Sequence, residues 1–138
     1  MIFMKNTVLF LIQAALLIAI AAAHAYALTV DLYWHYPLAN RAIHFAGGVW
    51  ISLATLWLFG FRRTPLNFIV MLGIVIAISI GWEIFEVVIG MTAQEANYVL
   101  DTALDLTMDL CGGILGYYAF RFMIQSSTHG ETVQNNPS

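Results

Sequence analysis

Asp101, Asp105 and Asp109 recur every four residues within DTALDLTMDLCGGILG, residues 101–116. On an α-helix such positions drift only about 40° per step, so the three carboxylates share one face. Glu83 and Glu86 share a face of an earlier apolar stretch, and Arg41 and His44 do so in one earlier still. Five carboxylates, one guanidinium and one imidazole cannot all stay ionised in apolar surroundings unless cations or water are present. Two resolutions are open: several acids are protonated and donate hydrogen bonds, or a divalent cation sits among them. Mg²⁺, Mn²⁺ or Zn²⁺ would suit, with His44, Glu83, Glu86, Asp105 and Asp109 as candidate ligands. Acids three or four apart on one helix can present oxygens to one ion, and a His from a neighbouring helix can complete the set. The Glu-x-x-His pairs of di-iron bundles are missing. Asp at every fourth residue also suits acids that hold Mg²⁺ while the Mg²⁺ holds a pyrophosphate-linked lipid, although such enzymes carry two acidic motifs and this chain has one. Arg41 would then meet an anionic group with both arms of its fork. A structural reading competes, in which Arg41 pairs with one acid and the rest lock helices together by hydrogen bonds.

Such residues matter because of where they lie. The chain has 138 residues, 61% hydrophobic and only 9% charged, with a mean hydropathy of +0.81. A soluble domain carries about 25% charged residues, so this is a membrane composition. An Asp near the centre of a membrane helix costs roughly 2.5–3.5 kcal/mol on insertion scales, so three on one stripe require partners inside the protein. A basic footprint for nucleic acid is absent. The single cysteine, Cys111, excludes an intrachain disulfide and reads as a small core residue.

Four apolar spans position the cluster. The first covers 8–23 after Lys5. Ala-x-Ala choices near His24 also give residues 1–27 the form of a signal peptide, but an uncleaved first membrane helix is expected. The aromatic connection 29–37 reads as a headgroup-level belt. The second span, 38–61, holds Arg41, His44, Gly47 and Gly48, and ends in the basic turn Arg62-Arg63-Thr64-Pro65. The third, 66–89, ends in Gly-Trp-Glu83-Ile-Phe-Glu86. Thr92-Ala-Gln-Glu95 has capping-box form, in which Thr and Glu satisfy each other's free backbone amides before the fourth span. Gly48, Gly112, Gly113 and Gly116 read as helix-packing positions where a second backbone comes close. One domain is expected over 1–125, with a polar disordered tail over 126–138.

Arg62-Arg63 favours the cytoplasmic side, which puts both termini there, in agreement with Lys5 and Arg121. A hydrocarbon core of about 30 Å takes roughly 20 residues. Counted from the basic ends, Arg41, His44, Glu83, Glu86 and Asp101 all reach the outer interface, with Asp105 and Asp109 about 6 and 12 Å deeper. Ionisable residues from three spans thus converge near one level.

Arg41-x-x-His44-Phe45, Glu83-x-x-Glu86 and Asp105-x-x-x-Asp109-x-x-Gly112-x-x-x-Gly116 resemble the VanZ-like family and the related YjdF-like small bacterial membrane proteins. The resemblance runs from Asn40 to Gly116 and implies a multi-pass protein of the bacterial cytoplasmic membrane with a cell-envelope role linked to glycopeptide resistance. Asn40, Glu86 and Asp109 depart from the VanZ-like pattern, which has Asp, Gln and Asn there; the last two make this pocket the more acidic. The expectation is therefore an all-α, four-helix transmembrane bundle whose pocket, open to the outer leaflet, binds a divalent cation or a phosphate-bearing envelope lipid through one. Catalysis is left open, and membrane lipid is the expected neighbour. The alternative is a non-catalytic accessory subunit, docked through Trp50, Trp57 and the aromatic loop onto a larger membrane complex, or a homo-oligomer. An ion or proton pathway would need polar residues below Asp109, where the fourth span turns to Cys, Gly and aliphatic residues.

Overall fold

A computed structural model describes residues 2–61, 66–90 and 97–134, with side chains for 7–33, 35–59, 66–90 and 97–123. The chain is all-α: α1 (Ile2–Thr29), α2 (Leu32–His35), α3 (Pro37–Phe61), α4 (Phe68–Val88) and α5 (Tyr98–Gln134), with no strand among the described residues. Four of these are long, and α2 is a single turn. Three are long and apolar enough to cross a membrane: Thr7–Thr29, Pro37–Phe59 and Phe68–Val88. Their outward faces are apolar, with Ile18, Ile69, Ile84 and Val88 exposed, as contact with lipid requires.

The helices alternate in direction. Phe10 on α1 meets Trp57 at one end of the bundle, with ring centroids 5.4 Å apart. His24 meets Trp82 at the other end, at 5.8 Å. Helix α4 runs against α5, since Phe68 stacks with Tyr117 while Thr102 bonds to Glu83. Helices α3 and α5 therefore run parallel, side by side from Asn40 and Asp105 to Ser52 and Gly116. The acids keep α5 out of the apolar class, yet it lies against the apolar α3 over this stretch.

Glycine sets that approach. A Cβ on Gly48 would land on the Asp109 carbonyl oxygen, and one on Gly112 on that of Phe45. On Gly116 it would lie 2.9 Å from the Val49 carbonyl oxygen, and on Gly113 3.0 Å from the Val75 side chain of α4. Gly48, Gly112 and Gly116 thus let two backbones touch, and Gly113 admits a third helix. Away from the acids the core is Ile51, Leu56, Met71, Val75 and Tyr117, with Trp50 packed against it. Trp50 and Trp57 contribute to this fold's own packing, where the accessory-subunit reading places them against a partner.

Element ends follow local chemistry. Asn67 caps α4, its side chain accepting from Ile69 N at 2.9 Å. The helix stops where Gly90 takes φ +79°, a conformation an L side chain disfavours. The turn 62–65 and the capping box at 92–95 lie outside the described residues. One expectation is revised. Cys111 is exposed on the outer surface and is not a core residue; two positions past Asp109, it sits about 200° around the helix from the acids. Helix α5 runs through Gln134, into the segment 126–138, with no proline before Pro137. Residues 135–138 lie outside the described residues.

Candidate functional site

Each buried acid owes its place to helical spacing. The buried stripe of α4 is Met71, Val75, Ser79, Glu83 and Glu86, a three-or-four rhythm that turns from apolar to acidic near the end of the helix. The α5 stripe supplies Asp105 and Asp109, and α3 supplies His44. These five are buried together: His44, Glu83 and Glu86 at 5%, 5% and 8% exposure, Asp105 and Asp109 at 2% and 4%. Arg41 and Asp101 belong to the same end of the bundle but form its rim, with side chains 26% and 30% exposed. The difference matches the helix rise: Asp105 and Asp109 lie about one and two turns further in than Asp101.

His44 is the hub. Its Nδ1 lies 3.1 Å from Asp109 Oδ2, and an ionised carboxylate only accepts, so Nδ1 is the donor of this pair and Nε2 carries the lone pair in the neutral imidazole. Nε2 faces Asp105 Oδ2 at 3.7 Å and Glu83 Oε1 at 4.0 Å, both too far for hydrogen bonds. Asn40 Nδ2 donates to Asp105 Oδ2 at 2.9 Å. Thr102 donates to Glu83 Oε2 at 2.9 Å, and Trp82 Nε1 to Glu86 Oε1 at 2.8 Å. Every buried carboxylate is therefore anchored by one neighbour. The remaining oxygens Glu83 Oε1 and Asp105 Oδ1 are buried with no hydrogen-bond partner. Such a group costs about 1–3 kcal/mol, more when charged, unless something meets it.

Asn40, Thr102 and Trp82 anchor the acids, yet sequence alone does not mark them as a set. Asn40 and Asp105 are 65 positions apart, and only the parallel packing of α3 and α5 joins them. The helical spacing of Trp82 to Glu86 is the one such signal within a single element. Over the same end lies a polar roof. His24 Nδ1 and Tyr33 Oη are 2.8 Å apart, and burial together with the charge of Glu86 pushes the Tyr33 phenol up to about 12, so it keeps its proton at neutral pH. Deeper in, the hydroxyls of Ser79 and Ser52 are buried without a partner.

His44, Glu83 and Glu86 each offer a ligand atom, all within 4.8 Å of one another. Donors at bonds of about 2.1 Å around a tetrahedral ion stand ~3.4 Å apart, so this trio would have to close by up to about 1.4 Å to share one ion. A model of the family described as "Predicted membrane protein (DUF2238)" matches residues 2–126. The chain belongs to this family. The matched region contains every residue of the cluster, all its anchors and all four long helices through the start of the polar segment, so the DUF2238 region and the site are one unit. No curated protein and no solved structure matches the chain. This DUF2238 protein is thus a membrane protein with a buried His/Glu/Asp cluster at one end of its bundle.

Proposed function

We propose that this protein binds a divalent cation in the outer half of the bacterial cytoplasmic membrane, with all four long helices crossing and both termini in the cytoplasm. The observation that carries the reading is the pair of buried carboxylate oxygens without partners, Glu83 Oε1 and Asp105 Oδ1, on acids that face His44 Nε2, Glu83 through that same Oε1 at 4.0 Å and Asp105 through its other oxygen at 3.7 Å. A cation supplies what the two unpartnered oxygens and Nε2 lack. His44, Glu83, Glu86 and Asp105 are its ligands. Asp109 acts from behind the imidazole, holding it in the metal-binding tautomer, as a carboxylate does behind many ligating histidines. Imidazole with several carboxylates suits Mn²⁺ or Zn²⁺ better than Mg²⁺, which retains its waters. Asp105 and Asn40, Glu83 and Thr102, and Glu86 and Trp82 hold the ligands in place.

The resemblance to VanZ-like proteins supports a role at the cell envelope, and the extra acids Glu86 and Asp109 favour a cation over a neutral hydrogen-bonded network. The test is metal uptake by protein purified in lipid nanodiscs and dialysed against Mn²⁺ or Zn²⁺. Wild type is expected to retain the ion, and His44→Gln and Glu83→Gln to lose it while remaining folded. Retention by the folded variants at the wild-type level defeats the proposal.

A further inference from the structure

Arg41 stands at the mouth of the cluster, one helical turn before His44, and the chain matches its guanidinium poorly. Its Nη2 is 4.0 Å from Asp101 Oδ1, beyond hydrogen-bonding distance. Its Nε–H is buried and has no hydrogen-bond partner. Guanidinium carries five donors in a planar fork whose geometry fits a pair of carboxylate or phosphate oxygens. A fork at a membrane-interface site with a buried donor unmet is the pattern of an anion arm.

Charge order decides which anion could come there. Glu83, Glu86 and Asp105 are buried and Arg41 is at the rim, so with the proposed ion the site carries two positive charges, the cation and Arg41. An anion between the last two is attracted from both sides, and the cation screens it from the acids behind. With no cation the same anion would meet one guanidinium beside an acidic pocket, would lose the second attraction, and would be repelled by every acid that stays ionised. A carboxylate has two oxygens, enough for the fork or for the ion. A phosphoryl group has three terminal oxygens, enough for two on the fork and one on the ion.

Resting on the cation reading above, we infer that the site's ligand is a phosphoryl group gripped between Arg41 and the bound cation. The chemistry is shared by free phosphate and by a phosphomonoester lipid headgroup. Binding is conditional: the phosphoryl group requires the cation, whereas the cation does not require the phosphoryl group.

The experiment uses Mn²⁺ as a paramagnetic probe. Full-length protein loaded with Mn²⁺ is mixed with inorganic phosphate, or reconstituted in nanodiscs containing phosphatidate, and ³¹P line broadening is read. His44→Gln discs give the background from Mn²⁺ on the lipid surface. Wild type is expected to broaden the phosphorus resonance above that background. Arg41→Gln is expected to lower apparent phosphoryl affinity at least about tenfold, with Arg41→Lys intermediate because it keeps the charge but not the fork. Mn²⁺ uptake by Arg41→Gln is not weakened, since a positive charge has been removed. Broadening of inorganic phosphate alone assigns the site to free phosphate, and broadening of phosphatidate alone to a lipid. If Mn²⁺ binds and neither resonance broadens above background, or Arg41→Gln broadens as strongly as wild type, the inference is overturned and the cation site stands. Failure of wild type to take up Mn²⁺ overturns both.

Discussion

His44 is held at one nitrogen and free at the other, and this asymmetry gives the site its direction. Asp109 on Nδ1 fixes which nitrogen carries the proton. Removing that support is expected to lower cation affinity about 10–100-fold in Asp109→Ala, and less in Asp109→Asn, whose amide oxygen still accepts from Nδ1; Mn²⁺ titration of both variants measures it. Protons compete with the ion, because a ligating imidazole must be neutral and a ligating carboxylate ionised. Retained metal is therefore expected to fall as pH is lowered from about 8 to about 5 and to return when pH is raised; metal analysis across that range checks the sign. The ionisable members of the cluster were legible in the sequence, since Asp105 and Asp109, or Glu83 and Glu86, repeat at helical spacing amid apolar residues. Their anchors were not. Thr102 and Asn40 are ordinary helix residues until another helix brings Glu83 or Asp105 against them. Nor could spacing say that Asp109 meets the hidden side of the imidazole.

At the scale of helices, the site depends on how closely α3 and α5 approach. Gly48 and Gly112 have no room for a methyl group, because each faces a backbone carbonyl that cannot move aside alone. Gly48→Ala and Gly112→Ala are expected to cost about 1–3 kcal/mol or more by overpacking and to weaken cation binding, although neither alters a ligand. Gly73 has nothing within 4 Å of its Cβ position, so Gly73→Ala is expected to change stability by no more than about 1 kcal/mol. Thermal unfolding in detergent, read beside Mn²⁺ uptake, compares the three. The small-residue spacing of α5 marked this contact in advance, but its partner face needed the fold: nothing in 112–116 says that α3 runs parallel to α5. Cys111 shows the opposite case. Its distance of two from Asp109 already placed it on the far side of the helix, so small size was a poorer guide than angle.

Across the whole molecule, an up-down arrangement of long helices gathers the charged groups at one end and leaves the other to Leu56, Met71 and Tyr117. Arg121 over the Tyr117 ring, 5.8 Å from its centroid, belongs to that second end. In the proposed topology, drawn from the basic pair Arg62-Arg63 of the sequence by the positive-inside rule, the acid end faces outward. Green fluorescent protein fused after Arg121 is expected to fluoresce, and alkaline phosphatase inserted within 91–96 to be active; the reverse pattern would invert the orientation. Composition made the membrane class legible, and apolar runs marked three of the helices. The fourth is harder to read because its acids lower the very hydropathy by which spans are recognised, and its place beside α3 comes from the packing. The central claim is that this buried constellation holds a cation. Metal analysis of nanodisc-reconstituted wild type, His44→Gln and Glu83→Gln after Mn²⁺ dialysis tests it most directly. About one ion per wild-type chain and little in either folded variant is the predicted result, and equal background in all three would contradict it.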